Sequence, residues 1–268
     1  MTPYYEHAGV TIYHGDCREV LPKICPQQNG LFLQYDATVI TDPPYGQTSL
    51  EWDTWQKGWL QAVPFRSLWC FGTLRMFMDH AAEFSRWGWK LSQDLIWEKP
   101  NGSGFASDRF KRVHEQPAHF YRGSWDGIFK LPVTTPDATA RTVRRKGRPA
   151  HTGHIEAIAY ESFDGGPRLM RSVIKVRSTH GFAEHPTQKP LGILLPLVEY
   201  SVPKIGGVLV DPFCGSGSHL IAALQHGARA IGIEIDEANC EIAARRCAGG
   251  ELFQTVGAVD PHVGGTPE

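Results

Sequence analysis

A carboxylate, two prolines and a tyrosine follow one another in Asp42-Pro43-Pro44-Tyr45, directly after the short apolar run Val39-Ile40. The prolines fix consecutive φ angles and remove two N–H donors, so carbonyl oxygens stand free at this corner. Asp42 adds a carboxylate acceptor and Tyr45 an aromatic face. A rigid, acceptor-rich corner beside a stacking ring suits a planar group that bears an NH₂, such as the amino group of adenine. A proline turn that merely closes a strand is the bland alternative. The Tyr45-Gly46 that follows and a second turn late in the chain weigh against it.

That second turn is Val208-Leu209-Val210-Asp211-Pro212-Phe213-Cys214-Gly215-Ser216-Gly217-Ser218, an apolar run entering a glycine turn and then a helical pattern. Gly215 and Gly217 let backbone approach a ligand closely. Glu234 ends the next apolar run, near the offset at which an acidic side chain accepts hydrogen bonds from ribose hydroxyls. Leu220 stands where a dinucleotide fingerprint has its third glycine, and no Gly-Lys-Ser/Thr follows as in a phosphate-binding loop. The expected ligand is therefore a nucleoside without a pyrophosphate. A plain strand-turn-helix is the competing reading.

Metal chemistry is not expected. The six cysteines (17, 25, 70, 214, 240 and 247) form no CxxC pair. His114 and His119 are five apart with Pro117 between them, whereas a zinc helix needs histidines four apart on one face.

Three regions must position these groups. Up to about residue 122, apolar runs end in Gly/Pro-rich turns, as short buried strands of a parallel sheet do, with segments of helical pattern such as Leu74 to Trp87 between them. From 123 to 180 the pattern weakens among prolines, glycine clusters and Arg141-Thr142-Val143-Arg144-Arg145-Lys146-Gly147-Arg148, which reads as an insertion. From 181 to 250 strand and helix alternate again, and 251–268 reads as a frayed tail. With 41% hydrophobic residues in 268, a sizeable core is expected and a disordered regulator is excluded. No apolar run is long enough to suggest a membrane span and no secretion signal is evident, so a cytoplasmic setting is expected.

The formal net charge of −1 hides an asymmetry. Lys99 to His180 holds 15 basic and 7 acidic residues, +8, while the remainder holds 12 and 21, −9. Such a basic segment can neutralise phosphates and release counterions, which points to a polyanion partner. A solvated basic loop is the plainer alternative.

Together, Asp42-Pro43-Pro44-Tyr45 and Asp211-Pro212-Phe213-Cys214-Gly215-Ser216-Gly217 resemble the amino-group DNA methyltransferases that use S-adenosylmethionine. His185-Pro186-Thr187-Gln188-Lys189-Pro190 resembles the motif preceding the cofactor site in the β-class, and His14-Gly15-Asp16-Cys17 the acidic turn before the proline corner. The resemblance covers residues 10–120 and 181–248. It implies an α/β, Rossmann-like fold with a mostly parallel seven-stranded sheet, flanking helices and an inserted target-recognition region. Residues 1–122 then form the catalytic half and 181–250 the cofactor half, with target recognition in 123–180. The proline corner precedes the glycine turn, as in the β-class DNA enzymes and unlike release-factor and several RNA methyltransferases.

The implied activity is site-specific methylation of adenine N6 in a base flipped from double-stranded DNA. Asp42 in place of the serine usual in N4-cytosine enzymes tilts the target to adenine. An N4-cytosine enzyme and a catalytically inactive DNA-binding relative are the alternatives. Asp42 and the Pro43 carbonyl would accept the amino N–H groups, with Pro44 and Tyr45 completing the corner. Asp211, Phe213, Gly215, Gly217, Glu234 and Asp16 would surround the cofactor, with Thr187 and Lys189 over its methionine carboxylate.

Arg141, Arg144, Arg145, Lys146 and Arg148 are the expected DNA contacts. Cys214 is expected to pack, and Cys25-Pro26 reverses the Pro-Cys of the cytosine-C5 enzymes. Asp236 suits a helix cap or a ligand equally, and Trp52 and Trp55 suit a loop over the base or the core. The resemblance leaves a homodimer and a cognate restriction endonuclease open as partners, and implies no membrane.

Overall fold

Val39, Ile40, Leu68, Phe71, Leu209 and Val210 carry no polar alternation, the pattern of strands covered on both faces, and all are fully buried. They lie in the middle of one sheet. The structure, a computed structural model, describes residues 1–25, 37–103, 107–144, 159–177 and 188–249. Its strands begin with β1 (Tyr5–His7), β2 (Val10–His14), β3 (Ala37–Thr41), β4 (Ser67–Gly72), β5 (Lys90–Asp94), β6 (Ile96–Ser103) and β7 (Arg112–Tyr121). They continue with β8 (Thr134–Thr135), β9 (Arg141–Arg144), β10 (Ala159–Ser162), β11 (Arg168–Leu169), β12 (Val173–Lys175), β13 (Val208–Asp211) and β14 (Arg229–Glu234). The α-helices are α1 (Cys17–Ile24), α2 (Trp59–Ala62), α3 (Leu74–Arg86), α4 (Leu191–Ser201), α5 (Ser218–His226) and α6 (Glu237–Ala248).

The main sheet runs β1-β2-β14-β13-β3-β4-β7-β6-β12, with β5 also on β7. From β2 through β4 every neighbouring pair is parallel, and β7 enters antiparallel to β4. β5 pairs with Ala118–Tyr121 of β7 and β6 with Arg112–Glu115, so the two lie end to end along one side of it. Counted that way, the expected seven positions are present. Among the described residues the sheet reaches ten strands because that seventh position is split and β1 and β12 add to the edges.

Helix ends follow local chemistry. Thr73 caps α3 by accepting from the Met76 N–H, and Asp16 and Asp236 cap α1 and α6 in the same way. Gly217 and Gly227, both at positive φ, bracket α5.

The chain divides into two compact units. The first holds the main sheet and its helices. Within the second, Pro132–Arg171, β9 pairs with β10 and β8 with β11, both antiparallel. That unit lies inside the 123–180 stretch. The flanks of the stretch belong to the first unit, where the Leu131 N–H donates to the Tyr200 carbonyl at 2.7 Å and β12 pairs with β6. No helix of the described residues is long and apolar enough to cross a membrane.

Candidate active site

Four adjoining parallel strands, β2, β14, β13 and β3, end at one edge of the sheet, and each end carries an acidic residue. Asp16 follows β2, Glu234 closes β14, Asp211 closes β13 and Asp42 follows β3. The register pairs Val210 with Val39 and Glu234 with His14, so the proline corner and the glycine turn open side by side. The carboxyl edge of a parallel sheet is where open α/β folds hold ligands.

Asp211 is fully buried and its carboxylate is the hub of the glycine turn. One oxygen accepts from the Thr41 hydroxyl at 2.6 Å and the Phe213 N–H at 3.1 Å, and the other lies 2.6 Å from His219 Nδ1. Asp211 therefore shapes the turn from inside. Gly215 has φ +47 and a Cβ there would meet nothing within 4 Å, which leaves a cradle open above the turn. Gly217, at φ +81, packs against α6, where a Cβ would come within 3.1 Å of Ala243.

Glu234 accepts from the Gly215 N–H at 2.8 Å and the Asp236 N–H at 3.0 Å, and burial pushes its carboxyl up. The Asn239 side chain also bonds this carboxylate, which still has acceptor capacity to spare. Phe213 meets the buried Trp59 edge-on at 5.4 Å. From α6, buried Arg246 donates to the Ser216 carbonyl and, at 2.9 Å, to its hydroxyl. Cys214 is buried, and burial pushes its thiol well up, away from the nucleophilic thiolate.

The proline corner is held by charge. The Tyr45 hydroxyl donates to Asp42 Oδ1, and burial pushes that phenol well above its ordinary value. The Lys189 ammonium reaches Asp42 Oδ2 at 2.5 Å and Glu115 Oε2 at 3.3 Å, while Lys99 pairs with the other oxygen of Glu115. Burial alone would lower Lys189, but Asp42 and Glu115 outweigh it and hold it raised. Burial would likewise raise Glu115, but Lys189 and Lys99 outweigh it and hold it lowered.

Beyond the corner, Asp53 accepts from four successive amides. Its Oδ1 takes the Tyr45 N–H at 2.7 Å and the Gly46 N–H at 2.9 Å. Its Oδ2 takes the Gln47 N–H at 3.0 Å and the Thr48 N–H at 2.7 Å. One carboxylate thus closes the whole turn.

The structure brings Asp42, Pro43, Pro44, Tyr45, Asp211, Phe213, Gly215, Gly217 and Glu234 to the edge on which the sequence places them. Asp16 reaches the same edge, where its carboxylate caps α1 and grips the Arg18 guanidinium. Lys189, expected over the cofactor carboxylate, has its ammonium on Asp42 and Glu115. Asp236 is a cap, accepting from the Ala238 N–H at 2.9 Å.

Trp55 is core, stacked on His80 at 4.0 Å and donating to Glu83, whereas Trp52 is exposed. Arg141 and Arg144 lie exposed on β9 in the second unit. Thr187, Arg145, Lys146 and Arg148 lie outside the described residues. His119 is a core histidine between the Ser67 and Ser92 hydroxyls, and burial lowers it to about 3.

Glu115, Lys99, Asp53, His219 and Arg246 are site residues that the sequence did not single out. Arg246 reads in the sequence as a basic residue at a helix end and His219 as part of a helix, and the pairing of Glu115 with Lys99 needs the β6–β7 register, Trp97 opposite Glu115, to be seen.

The chain is similar to known proteins. Residues 37–245, most of the chain, match the N6_N4_Mtase family, described as DNA methylase. The type II methyltransferase M.ScaI of Streptomyces caespitosus is 27% identical over 271 residues, covering 91% of this chain and 83% of its own. The crystal structure of the M1.HpyAVI–SAM complex superposes with a TM-score of 0.58 at 22% identity, covering 88% of this chain and 99% of that one. PvuII DNA methyltransferase, cytosine-N4-specific, superposes with a TM-score of 0.56 at 14% identity, covering 92% and 95%. At these identities the superpositions establish the shared fold.

Proposed function

The chain belongs to the N6/N4 DNA methylase family, and from that premise we propose that it methylates the N6 amino group of adenine at a specific site in double-stranded DNA. The observation that carries this reading is the adjacency of the two turns at neighbouring strand ends, tied by the Thr41–Asp211 hydrogen bond. The cofactor is S-adenosylmethionine, and when bound it supplies an electrophilic methyl group. The open cradle at Gly215, the spare acceptor capacity of Glu234 and the half-buried Phe213 ring suit it. Phe213, Gly215, Gly217 and Glu234 would hold it, with Asp211 shaping the turn from below. Asp16 and Thr187 complete the proposed set, while Lys189, expected there, serves Asp42 instead.

Asp42 does the positioning chemistry. Its carboxylate and the Pro43 carbonyl accept the two N–H bonds of the target amino group, which draws the nitrogen lone pair out of conjugation with the ring. The Lys189 ammonium meets Asp42 Oδ2 at 2.5 Å, a charge-assisted contact that holds the side chain in place. Pro44 fixes the corner, and Tyr45 steadies Asp42 through its hydroxyl while offering its ring to the base. A stacked base contributes about 1–3 kcal/mol in single-strand binders. Catalysis is then alignment and electrostatic complementarity for direct displacement, with no covalent intermediate on a cysteine.

In a duplex the amino nitrogen is paired, so the base must leave the stack. Exposed Arg141 and Arg144, with Arg145, Lys146 and Arg148, are the proposed phosphate contacts.

Purified protein incubated with radiolabelled S-adenosylmethionine and mixed-sequence DNA, followed by digestion to nucleosides, tests the proposal. N6-methyladenine is the expected product. N4-methylcytosine would reassign the target, and no label in DNA would overturn the reading. Sequencing that detects modified bases in DNA from expressing cells supplies the recognition site. A companion endonuclease, a homodimer and a cytoplasmic setting are consistent with this role.

A further inference from the structure

β7 does not stop where the parallel strands stop. Thr41 at the end of β3 is level with Cys70, and Cys70 with Ala118, yet β7 begins six residues beyond that, at Arg112. At ~3.3 Å per residue the arm projects about 20 Å past the end of β3, on the side where Asp42 lies. β6 runs beside it, with Ser103 opposite Arg112. Two contacts tie this hairpin to the proline corner. Glu115 on β7 meets Lys189, which holds Asp42, and the Arg112 guanidinium donates to Gln47 Oε1 at 3.4 Å.

At the far end of the arm stands Phe110, 100% exposed, between Arg109 and Lys111, with Arg112 next. A single exposed apolar side chain is ordinary on a protein surface. A wholly bare phenylalanine beside Lys111 and Arg112, with the Arg109 guanidinium held by Asp108 at 2.7 Å, on an arm anchored to the proline corner, is a different case. Leu50 and Trp52, in the loop after the corner, add further exposed apolar surface at 49% and 54%. Apolar side chains on cationic elements enter DNA by insertion between base steps, where the ring replaces lost stacking while the cations meet phosphates.

We propose that the β6–β7 hairpin opens the duplex, with Phe110 inserted beside the target base and Lys111 and Arg112 against the flanking phosphates. The inference rests on the methyl transfer proposed above. It assigns the opening step to the sheet unit itself, in addition to the basic strand of the second unit.

The test uses two duplexes carrying the site that the wild-type protein modifies, one with the target base paired and one with it mismatched. A mismatched base is already loose in the stack and needs little opening. Phe110→Ala should lose at least about tenfold in methyl transfer on the paired duplex and recover to within about threefold of wild type on the mismatched one. Phe110→Leu, which keeps an apolar wedge, should stay within about threefold on both. Lys111→Gln should lower the slope of log affinity against log salt by about one. Phe110→Ala that is equally active, or equally impaired, on the two duplexes overturns the wedge while leaving the methyltransferase reading intact. A wild-type protein that labels no DNA, and so offers no site to build into the duplexes, overturns both.

Discussion

Thr41 and Asp211, 170 residues apart in the chain, share a 2.6 Å hydrogen bond where their strands end side by side. Neither residue is exposed, so the bond lies beneath the two turns and couples them. Thr41→Val keeps the shape and deletes the donor. Unfolding free energy should fall by about 1–3 kcal/mol, the cost of leaving a buried charged acceptor short of a partner. Urea denaturation reads this loss, and affinity for S-adenosylmethionine should weaken with it because Asp211 also holds the Phe213 amide.

The buried cluster of Asp42, Lys189, Glu115 and Lys99 predicts a pH signature. Glu115 is held below its ordinary value of 4.5, so its contribution to stability is present above pH 4.5 and is lost as pH falls through the folded value. Lys189 is held above 10.5, so its contribution is present below pH 10.5 and is lost as pH rises through the folded value. Glu115→Gln should flatten the acid side of a plot of unfolding free energy against pH. Lys189→Met, which leaves Asp42 and Glu115 without their shared cation, should cost about 3–5 kcal/mol at neutral pH.

Asp53 offers a test away from the reacting atoms. Asp53→Asn leaves one acceptor oxygen for the four amides it now serves, so amide hydrogen exchange at residues 45–48 should accelerate at least about tenfold, as for a lost hydrogen bond or two. Turnover should drop because Tyr45 loses its backbone anchor. Unchanged exchange would mean that the prolines alone hold the turn.

The two glycines of the cofactor turn should separate by readout. Gly217→Ala brings a Cβ within 3.1 Å of Ala243 at φ +81 and should destabilise the fold. Left-handed strain alone costs about 1–2 kcal/mol. Gly215→Ala meets nothing within 4 Å, so beyond a comparable backbone strain its methyl should chiefly block the cradle. Calorimetric titration with S-adenosylmethionine should then show lost affinity in a protein that still folds.

Both turns were legible in the sequence because proline and glycine write their backbone constraints locally, at Pro43, Pro44, Gly215 and Gly217. The strands were legible for a related reason, since runs such as Val208-Leu209-Val210 mark burial on both faces. Asp53 was not, because its partners are main-chain amides that any residue carries. The Lys189–Asp42 pair was not, because its members come from stretches about 150 residues apart whose meeting depends on the sheet order. Asp16 shows that a motif can be placed correctly while its carboxylate takes local work, capping α1 and gripping Arg18.

The order of strands also governs how the molecule can be made. β2 and β3 leave the ribosome well before β13 and β14, the two strands that fill the space between them. At ~5–20 residues per second, the nascent chain carries two unpartnered sheet edges for roughly 10–40 seconds before Glu234 is added. The pairing of β2 with β14 and of β3 with β13 therefore waits on the last-made of the four strands, and folding of this sheet is non-local by construction.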